Sequence, residues 1–462
     1  MSFLNFYLNT NIGSIVYYHL FNRKIDLKVE EKMNLKERAE QFLQDNNFNT
    51  TMDVDSILKN FFEEMDAGLD GLDSSLEMIP SYLNIEKKVP VNKPVIVLDA
   101  GGTNFRICLV SFDENGNPTI SNFQKRQMPG IEKEISKKEF FTTIADILKP
   151  YLRKADNIGF CFSYATEILP NGDGKLLTWS KEVKIPELVG EYVGSGIIKA
   201  LGKPGKDHKI VLLNDTIATL LSGKMAGFAS HYSSYIGFIL GTGTNTAYVE
   251  TNANISKLAN LNEGTQAINV ESGCFSKAIS SNFDDSLNDK TDNPSLYRFE
   301  KMISGAYMGS IGLDMMQKAA DEGLMSAEAS KEILNWKFLS TKELDDFVGN
   351  PSVDGIFNKP IFTDDDKELI YHFGSSITKR SAILTAINIS AAAIKCGEGK
   401  SPLTPLCINI DGSTFYKTNH LASIAEEYLR KILDGREIYY KITKIDDSPI
   451  IGAAIAGLTH FE

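Results

Sequence analysis

An α/β fold with two related halves is what this chain predicts, and three observations carry the prediction. Apolar strand-like runs alternate with helix-periodic segments along most of the chain. Two of those runs enter nearly the same glycine-rich turn: VIVLDAGGTNFRICLV, residues 95–110, and YIGFILGTGTNTAYVE, residues 235–250. At 462 residues the chain also exceeds what one ordinary core supports, so two domains are expected. Gly102-Thr103-Asn104 in the first turn answers Gly243-Thr244-Asn245 in the second. Glycines let such a backbone fold tightly, so that N–H groups and the Thr hydroxyl converge on an anion. Two such turns suggest a duplicated fold that grips a nucleotide's phosphates from both sides. Only the first run ends in a carboxylate, Asp99, so one half is expected to handle a metal and the other the phosphate oxygens.

Residues 1–32 begin with an uncharged aromatic stretch, MSFLNFYLNTNIGSIVYYHLF. It lacks the positive flank and cleavage site of a signal peptide and is too polar for a membrane span. It is either an extension of unassigned role or sequence upstream of a true start at Met33. From Met33 to about Gly68, Leu35, Ala39, Phe42 and Leu43, then Val54, Ile57, Leu58, Phe61 and Phe62, recur at helix spacing. Asp53 or Asp55 caps the second helix. After SSLEMIPSYL (74–83), strands begin at Val95. Residues 139–154 are expected to be helical, 158–165 a buried strand, 170–174 a loop, 209–215 a strand ending in a carboxylate, and 216–226 a helix. Beyond the second turn, 297–348 is mostly helix. A loop with Pro351 and Pro360 follows, then a long helix from Asp364 to Lys395, the strand LCINIDGST (406–414) and a short helix from Gly452 to Leu458.

A net charge of -12 disfavours nucleic acid or an anionic membrane as partner. The five cysteines, at 108, 161, 274, 396 and 407, form no CxxC pair, so neither a disulfide framework nor a zinc site is expected. A reducing, cytoplasmic setting fits them.

Asp99 and Asp215 both follow apolar runs, where loops converge in α/β sheets. Either alone is as well explained as a turn cap; together with two glycine turns they point to phosphoryl transfer. Lys181, in LLTWSKEVKI, is an ordinary surface lysine or a cation that meets a transferring phosphoryl group. Glu271 and Glu300 are exposed charges or acceptors for sugar hydroxyls, and the residues alone leave that open.

The ordered set LDAGGTNFR (98–106), FSYATEILPNGDGKLLTWSK (162–181), LLNDTIATL (212–220), IGFILGTGTNTAYVE (236–250), INVESG (268–273), EKMISGAYMG (300–309) and INIDGST (408–414) resembles the hexokinase family of the eukaryotic glucokinase/hexokinase type. The resemblance spans roughly residues 50–460 and implies a two-lobed actin-like ATPase (ribonuclease H-like) fold around a central cleft. It implies a smaller lobe of 84–213 plus 449–462, a larger lobe of 214–448, and the helices of 33–83 packed on the latter. The implied activity is ATP- and Mg2+-dependent phosphorylation of a hexose, glucose first, by a monomer or homodimer. Asp215 would be the general base. Ser163, Ser180, Lys181, Asn214, Asp215, Asn245, Glu271 and Glu300 would hold the sugar, with Lys181 also facing the γ-phosphoryl group. Asp99 would hold Mg2+ through water, beside Gly101, Gly102 and Thr103, with Arg106 supporting that loop. Gly241, Thr242, Gly243 and Thr244 would grip the other side of the phosphates, and Gly412 and Ser413 would lie near the adenosine.

Four departures stand out. The family's Ser-Phe-Pro is Ser163-Tyr164-Ala165 here, its Thr before the lysine is Ser180, its Trp after the glutamate is Ser272, and Pro449 replaces a glycine near the end. Those at Ala165, Ser272 and Pro449 motivate one rival reading, a hexose-binding regulatory protein without turnover; a second rival is a chaperone-like or filament-forming ATPase on the same fold, marked by sugar-independent hydrolysis. Intact Asp215 and Lys181 argue against the first, and the Ser163, Asn214, Glu271, Glu300 set against the second.

Overall fold

The computed structural model describes residues 34–179, 183–227, 231–258, 261 and 263–461. The helix Leu35–Asp45 is opened by a capping box between Asn34 and Glu37. Val54–Asp70 is capped by Asp53, whose carboxylate accepts from the Ser56 amide, which settles the choice against Asp55. Ile79–Pro80 (β1) follows, and then the two glycine hairpins each open a sheet.

The first sheet has the order β4-β3-β2-β5-β8, made of β2 (Val95–Gly101), β3 (Asn104–Phe112), β4 (Pro118–Gln127), β5 (Asn157–Phe162) and β8 (Lys209–Leu213). A separate two-stranded ribbon pairs β6 (Thr166–Ile168) with β7 (Gly174–Leu176). The second sheet has the order β1-β11-β10-β9-β12-β13, with β9 (Ser234–Leu240), β10 (Thr244–Thr251), β11 (Thr265–Asn269), β12 (Leu406–Asp411) and β13 (Tyr440–Thr443). Apart from β1, the two orders coincide: an antiparallel three-strand meander, then two strands parallel to its first. The duplication inferred from two turns therefore extends through both sheets.

Burial explains the layering. Ile96, Leu98 and Phe160 face one side of the first sheet, against Phe140, Ile144 and Ile197 of the helices Lys137–Leu148 and Val193–Leu201. Val95, Val97, Val211, Ala247, Val249 and Ala267 share a second core with the helices Asp215–Ser222 and Ser448–Thr459, which lie between the sheets. The far face of the second sheet meets the two N-terminal helices and the long helix Asp364–Cys396. Alternate residues of each central strand thus feed different cores, which is why those strands are continuously apolar.

Several expected boundaries move. The helix expected over 139–154 spans Lys137–Leu148 and stops just before Pro150, whose ring and missing N–H oppose a helix interior. The strand expected over 158–165 ends at Phe162, leaving Ser163-Tyr164-Ala165 as a loop. Asp215 does not end a strand: β8 stops at Leu213, Asn214 is the N-cap, and Asp215 is the first helical residue. The last helix starts at Ser448, not Gly452, because Pro449 sits in the first turn, where its lost N–H costs nothing.

Candidate active site

The parallel strands of the first sheet deliver their C-terminal ends to one place. Asp99 lies near the end of β2, Ser163 follows β5, and Asn214 and Asp215 follow β8. Asp99 is 2% exposed, and its Oδ2 lies 2.6 Å from Arg106 Nε across the β2–β3 pair. That contact is a largely buried ion pair. Burial pushes the Asp99 carboxyl up; Arg106 and Cys161 oppose the rise and the charge of Asp215 adds to it. Arg106 Nη1 also comes within 3.9 Å of Asp447, which precedes the last helix.

The β2–β3 turn consists of Gly102 and Thr103, because Gly101 pairs with Asn104. Gly102 has φ +60°, a conformation natural to glycine. A Cβ on Gly101 would come 3.3 Å from Ser163 Oγ, so the serine is tucked against the loop. The Ser163 amide donates to the Ala100 carbonyl at 3.1 Å, and the Tyr164 hydroxyl to the Gly102 carbonyl at 3.0 Å.

The second sheet supplies the opposite wall. Its turn is Gly241-Thr242-Gly243, one residue longer, because Leu240 pairs with Thr244. The Gly241 carbonyl accepts from the Gly305 amide at 2.9 Å and from Thr414 Oγ1 at 2.8 Å, which brings the turn against Gly412 and Ser413. Glu300 reaches the same turn and accepts from the Thr244 amide at 2.9 Å. The Thr244 hydroxyl donates to the Ile239 carbonyl at 2.9 Å. Both donors of Thr244 are thus bonded inside the protein, and Thr242 is the exposed threonine of this turn.

Between the walls lies a narrow cavity lined by Phe162, Tyr164, Leu212, Asn214, Asn269 and Glu271 among others. Glu271 has φ +56° and accepts from Asn269 Nδ2 at 2.7 Å. Desolvation pushes its carboxyl up to about 7, assisted by the charges of Glu77, Asp215 and Glu300 and opposed by the Asn269 hydrogen bond. Asn245 braces this arrangement: its Nδ2 donates to Asn269 Oδ1 at 2.7 Å, and its Oδ1 accepts from the amides of Thr246 and Ser272. Asn214 Oδ1 caps its helix by accepting from the Thr216 amide at 2.8 Å. Ser272 forms a buried polar triad with Thr246 and Asn388, so the position read as a lost tryptophan holds a satisfied hydroxyl.

Of the expected site residues, Asp99, Gly101, Gly102, Thr103, Arg106, Ser163, Asn214 and Asp215 gather at the first sheet, and Gly241, Thr242, Gly243, Asn245, Glu271, Glu300, Gly412 and Ser413 at the second. Ser180 and Lys181 lie outside the described residues. Asn269, Gly305 and Thr414 belong to the same constellation without having been named as site residues, and Tyr164 was named only as a departure from the family. All four lie inside quoted motifs, but the contacts of Tyr164 and Thr414 reach distant loops and leave no local signal.

Duplicated sheets whose strand ends face each other across a cleft define a two-lobed α/β fold of the actin-like ATPase type. Family models described as hexokinase match residues 38–225 and 235–459, and the chain belongs to the hexokinase family. It is 29% identical over 429 residues to Hexokinase-2 of Homo sapiens, covering 86% of this chain and 46% of that protein. Thus it spans about half the length of that relative. It is 28% identical to Hexokinase-5 of Oryza sativa subsp. japonica, over 86% of this chain and 84% of the relative. For a glucokinase of Aspergillus niger the identity is 27%, over 86% and 92%. Among solved structures, a hexokinase from Schistosoma mansoni complexed with glucose superposes with a TM-score of 0.73 at 23% identity, covering 92% of this chain and 98% of that one. Among the described residues, no helix is long and apolar enough to cross a membrane.

Proposed function

We propose that this protein is a hexose kinase that transfers the γ-phosphoryl group of ATP to the 6-hydroxyl of glucose or a related hexose, with Asp215 as general base. The observation that carries the reading is the place of Asp215, which opens the helix after β8 at the strand ends where Asp99 and Ser163 gather, next to Asn214, which lines the cavity together with Glu271. A base there stands between a phosphate loop and a set of sugar-hydroxyl acceptors. In the reaction, Asp215 takes the proton of the 6-hydroxyl as its oxygen bonds to the γ-phosphorus and the bond to ADP breaks. Glu271, Glu300 and Asn214 orient the hydroxyls, and Ser180 and Lys181 are assigned to the same task by the motif. Closure of the lobes excludes water, a rival acceptor.

The residues present fit Mg2+. Asp99 is a buried carboxylate beside the first glycine turn, its Oδ2 paired with Arg106, and among the described residues no third acidic, histidine or cysteine ligand gathers with it. One carboxylate beside a phosphate loop suits a hard cation that retains waters and takes phosphate oxygens. Asp99, through water, would hold the ion, which supplies charge neutralisation at the phosphates.

The test is ATP-dependent phosphorylation of glucose, fructose, mannose, N-acetylglucosamine and a no-sugar blank, with the product position read by NMR, for the wild type and Asp215→Ala. Transfer to a 6-hydroxyl that falls by 10²–10⁴-fold in the variant, roughly the worth of a general base, with hexose binding kept, supports the reading. Hexose binding without any transfer would favour the regulatory protein, and sugar-independent hydrolysis the ATPase.

A further inference from the structure

Tyr164 stands where the resembled family has phenylalanine, and Ala165 where it has proline. The tyrosine side chain is 3% exposed. Its ring centroid lies 4.9 Å from that of Phe162 and 4.8 Å, edge-on, from that of Trp179. The indole is pinned in turn, its Nε1 donating to the Ile185 carbonyl at 2.8 Å. Packing on these rings fixes where the phenol points, and it points at the first glycine turn, donating to the Gly102 carbonyl at 3.0 Å. Phenylalanine has no group for that bond.

Peptide planarity gives the bond its consequence. The Gly102 carbonyl and the Thr103 N–H share one plane and point in opposite directions. A carbonyl held towards Tyr164 therefore turns the Thr103 N–H away from it, at an exposed position of the turn. We propose that Tyr164 is a positioning residue whose hydroxyl clamps the Gly102–Thr103 peptide so that the Thr103 N–H is presented to a nucleotide phosphate. The same bond replaces, in the loop carrying Ser163, the stiffness that Ala165 forgoes. With the Ser163 amide on the Ala100 carbonyl, the sugar loop grips the phosphate loop at alternate residues. The inference rests on the nucleotide-binding reading of that turn.

Tyr164→Phe keeps the ring and its packing on Phe162 and Trp179 and removes the bond. One hydrogen bond is worth roughly a three- to tenfold change in an equilibrium. The expected result is a rise of that size in the Kd for MgATP by calorimetry and in the ATP KM, with the hexose Kd within about twofold. Adding Ala165→Pro to Tyr164→Phe should recover at least half of the logarithmic loss. Unchanged MgATP affinity in Tyr164→Phe overturns the proposal, as does a hexose Kd that moves while the nucleotide's does not. Failure of the kinase reading is separable: a wild type that binds MgATP but transfers nothing loses that reading, while the Kd comparison still decides the role of Tyr164. A wild type that binds no MgATP ends both.

Discussion

In the β2–β3 hairpin, two residues bridge strands that close at Gly101 and Asn104, and in the β9–β10 hairpin three residues bridge Leu240 and Thr244. Aligning the turns by Gly-Thr-Asn pairs Thr103 with Thr244, yet the exposed threonines are Thr103 and Thr242. The glycines also serve different needs. Around Gly102 a Cβ would meet nothing within 4 Å, and glycine is called for by φ +60°. At Gly243 φ is ordinary, but a Cβ would lie 2.4 Å from Glu300 Oε2. The first turn is shaped from within and clamped by its neighbours Arg106, Ser163 and Tyr164. The second is hollowed to admit a carboxylate from a helix almost sixty residues away in sequence. Equal motifs in a duplicated fold therefore mark equal places, not equal mechanics.

Gly243→Ala tests this most severely. The added methyl must displace the Glu300 carboxylate and with it the bond to the Thr244 amide. Displacing a group that positions substrate by an ångström costs on the order of 100-fold in kcat/KM. Steady-state kinetics with the preferred hexose should show that loss, chiefly through the hexose KM. Activity within threefold of wild type would mean that Glu300 can step aside and does not hold the sugar.

Arg106→Ala breaks the clamp on the other turn. It leaves the Asp99 carboxyl buried without its cation. Breaking a buried pair costs several kcal/mol, and because the guanidinium is partly exposed the expected loss is about 2 kcal/mol in urea unfolding. The pH dependence has a definite sign. The Asp99 carboxyl is already raised by burial, and loss of Arg106 raises it further. A carboxyl raised on folding contributes stability that is present at low pH and lost as it ionises, so the deficit should be larger at pH 8 than at pH 5. An equal deficit at both would remove Asp99 as the cause.

The contrast between the turns also shows what the sequence could reveal. Strands β2, β5, β8, β9 and β12 announce themselves because both faces are buried and the apolar runs are unbroken. β4 gave no signal: nearly every residue of this edge strand is exposed, so it shows no alternation. The helix Val193–Leu201 begins Val-Gly-Ser-Gly and takes its cap from Asp173, which accepts from the amides of Gly194 and Ser195. A cap donated from twenty residues upstream cannot be read locally. In the site, residues beside the glycine turns were legible, since turn chemistry is local. The Tyr164–Gly102, Thr414–Gly241 and Asn245–Asn269 contacts were not, because each joins loops that only the folded sheets bring together.

Glu271 offers a test of about tenfold. Its carboxyl is pushed up to about 7, so it is mostly protonated at pH 6 and mostly ionised at pH 8. If the carboxylate accepts from hexose hydroxyls, binding favours the ionised form, and hexose affinity should rise about tenfold from pH 6 to 8 with release of a proton. In the empty protein the sign is opposite: Glu271 contributes stability below about pH 4.5 that is lost as pH rises through about 7. Calorimetry in buffers of different ionisation enthalpy measures the proton directly. Glu271→Gln should abolish the pH dependence, and a variant with the wild-type profile would assign it elsewhere.

Gly102→Ala should give the smallest effect, and its smallness is the informative part. The methyl enters open space, so nothing has to move to receive it. What remains is the cost of alanine at φ +60°, about 1–2 kcal/mol against glycine, part of which relaxes by a small rotation of the turn. Unfolding should therefore shift by about 1 kcal/mol. The rotation would turn the Gly102 carbonyl away from the Tyr164 hydroxyl, so the ATP KM should rise severalfold with the hexose KM unchanged. Gly102→Ala and Gly243→Ala thus make the same chemical change in matching turns, with the nucleotide side responding in one and the sugar side in the other. Should both raise the same KM by the same factor, the division of labour between the turns would be wrong, whatever the size of either effect.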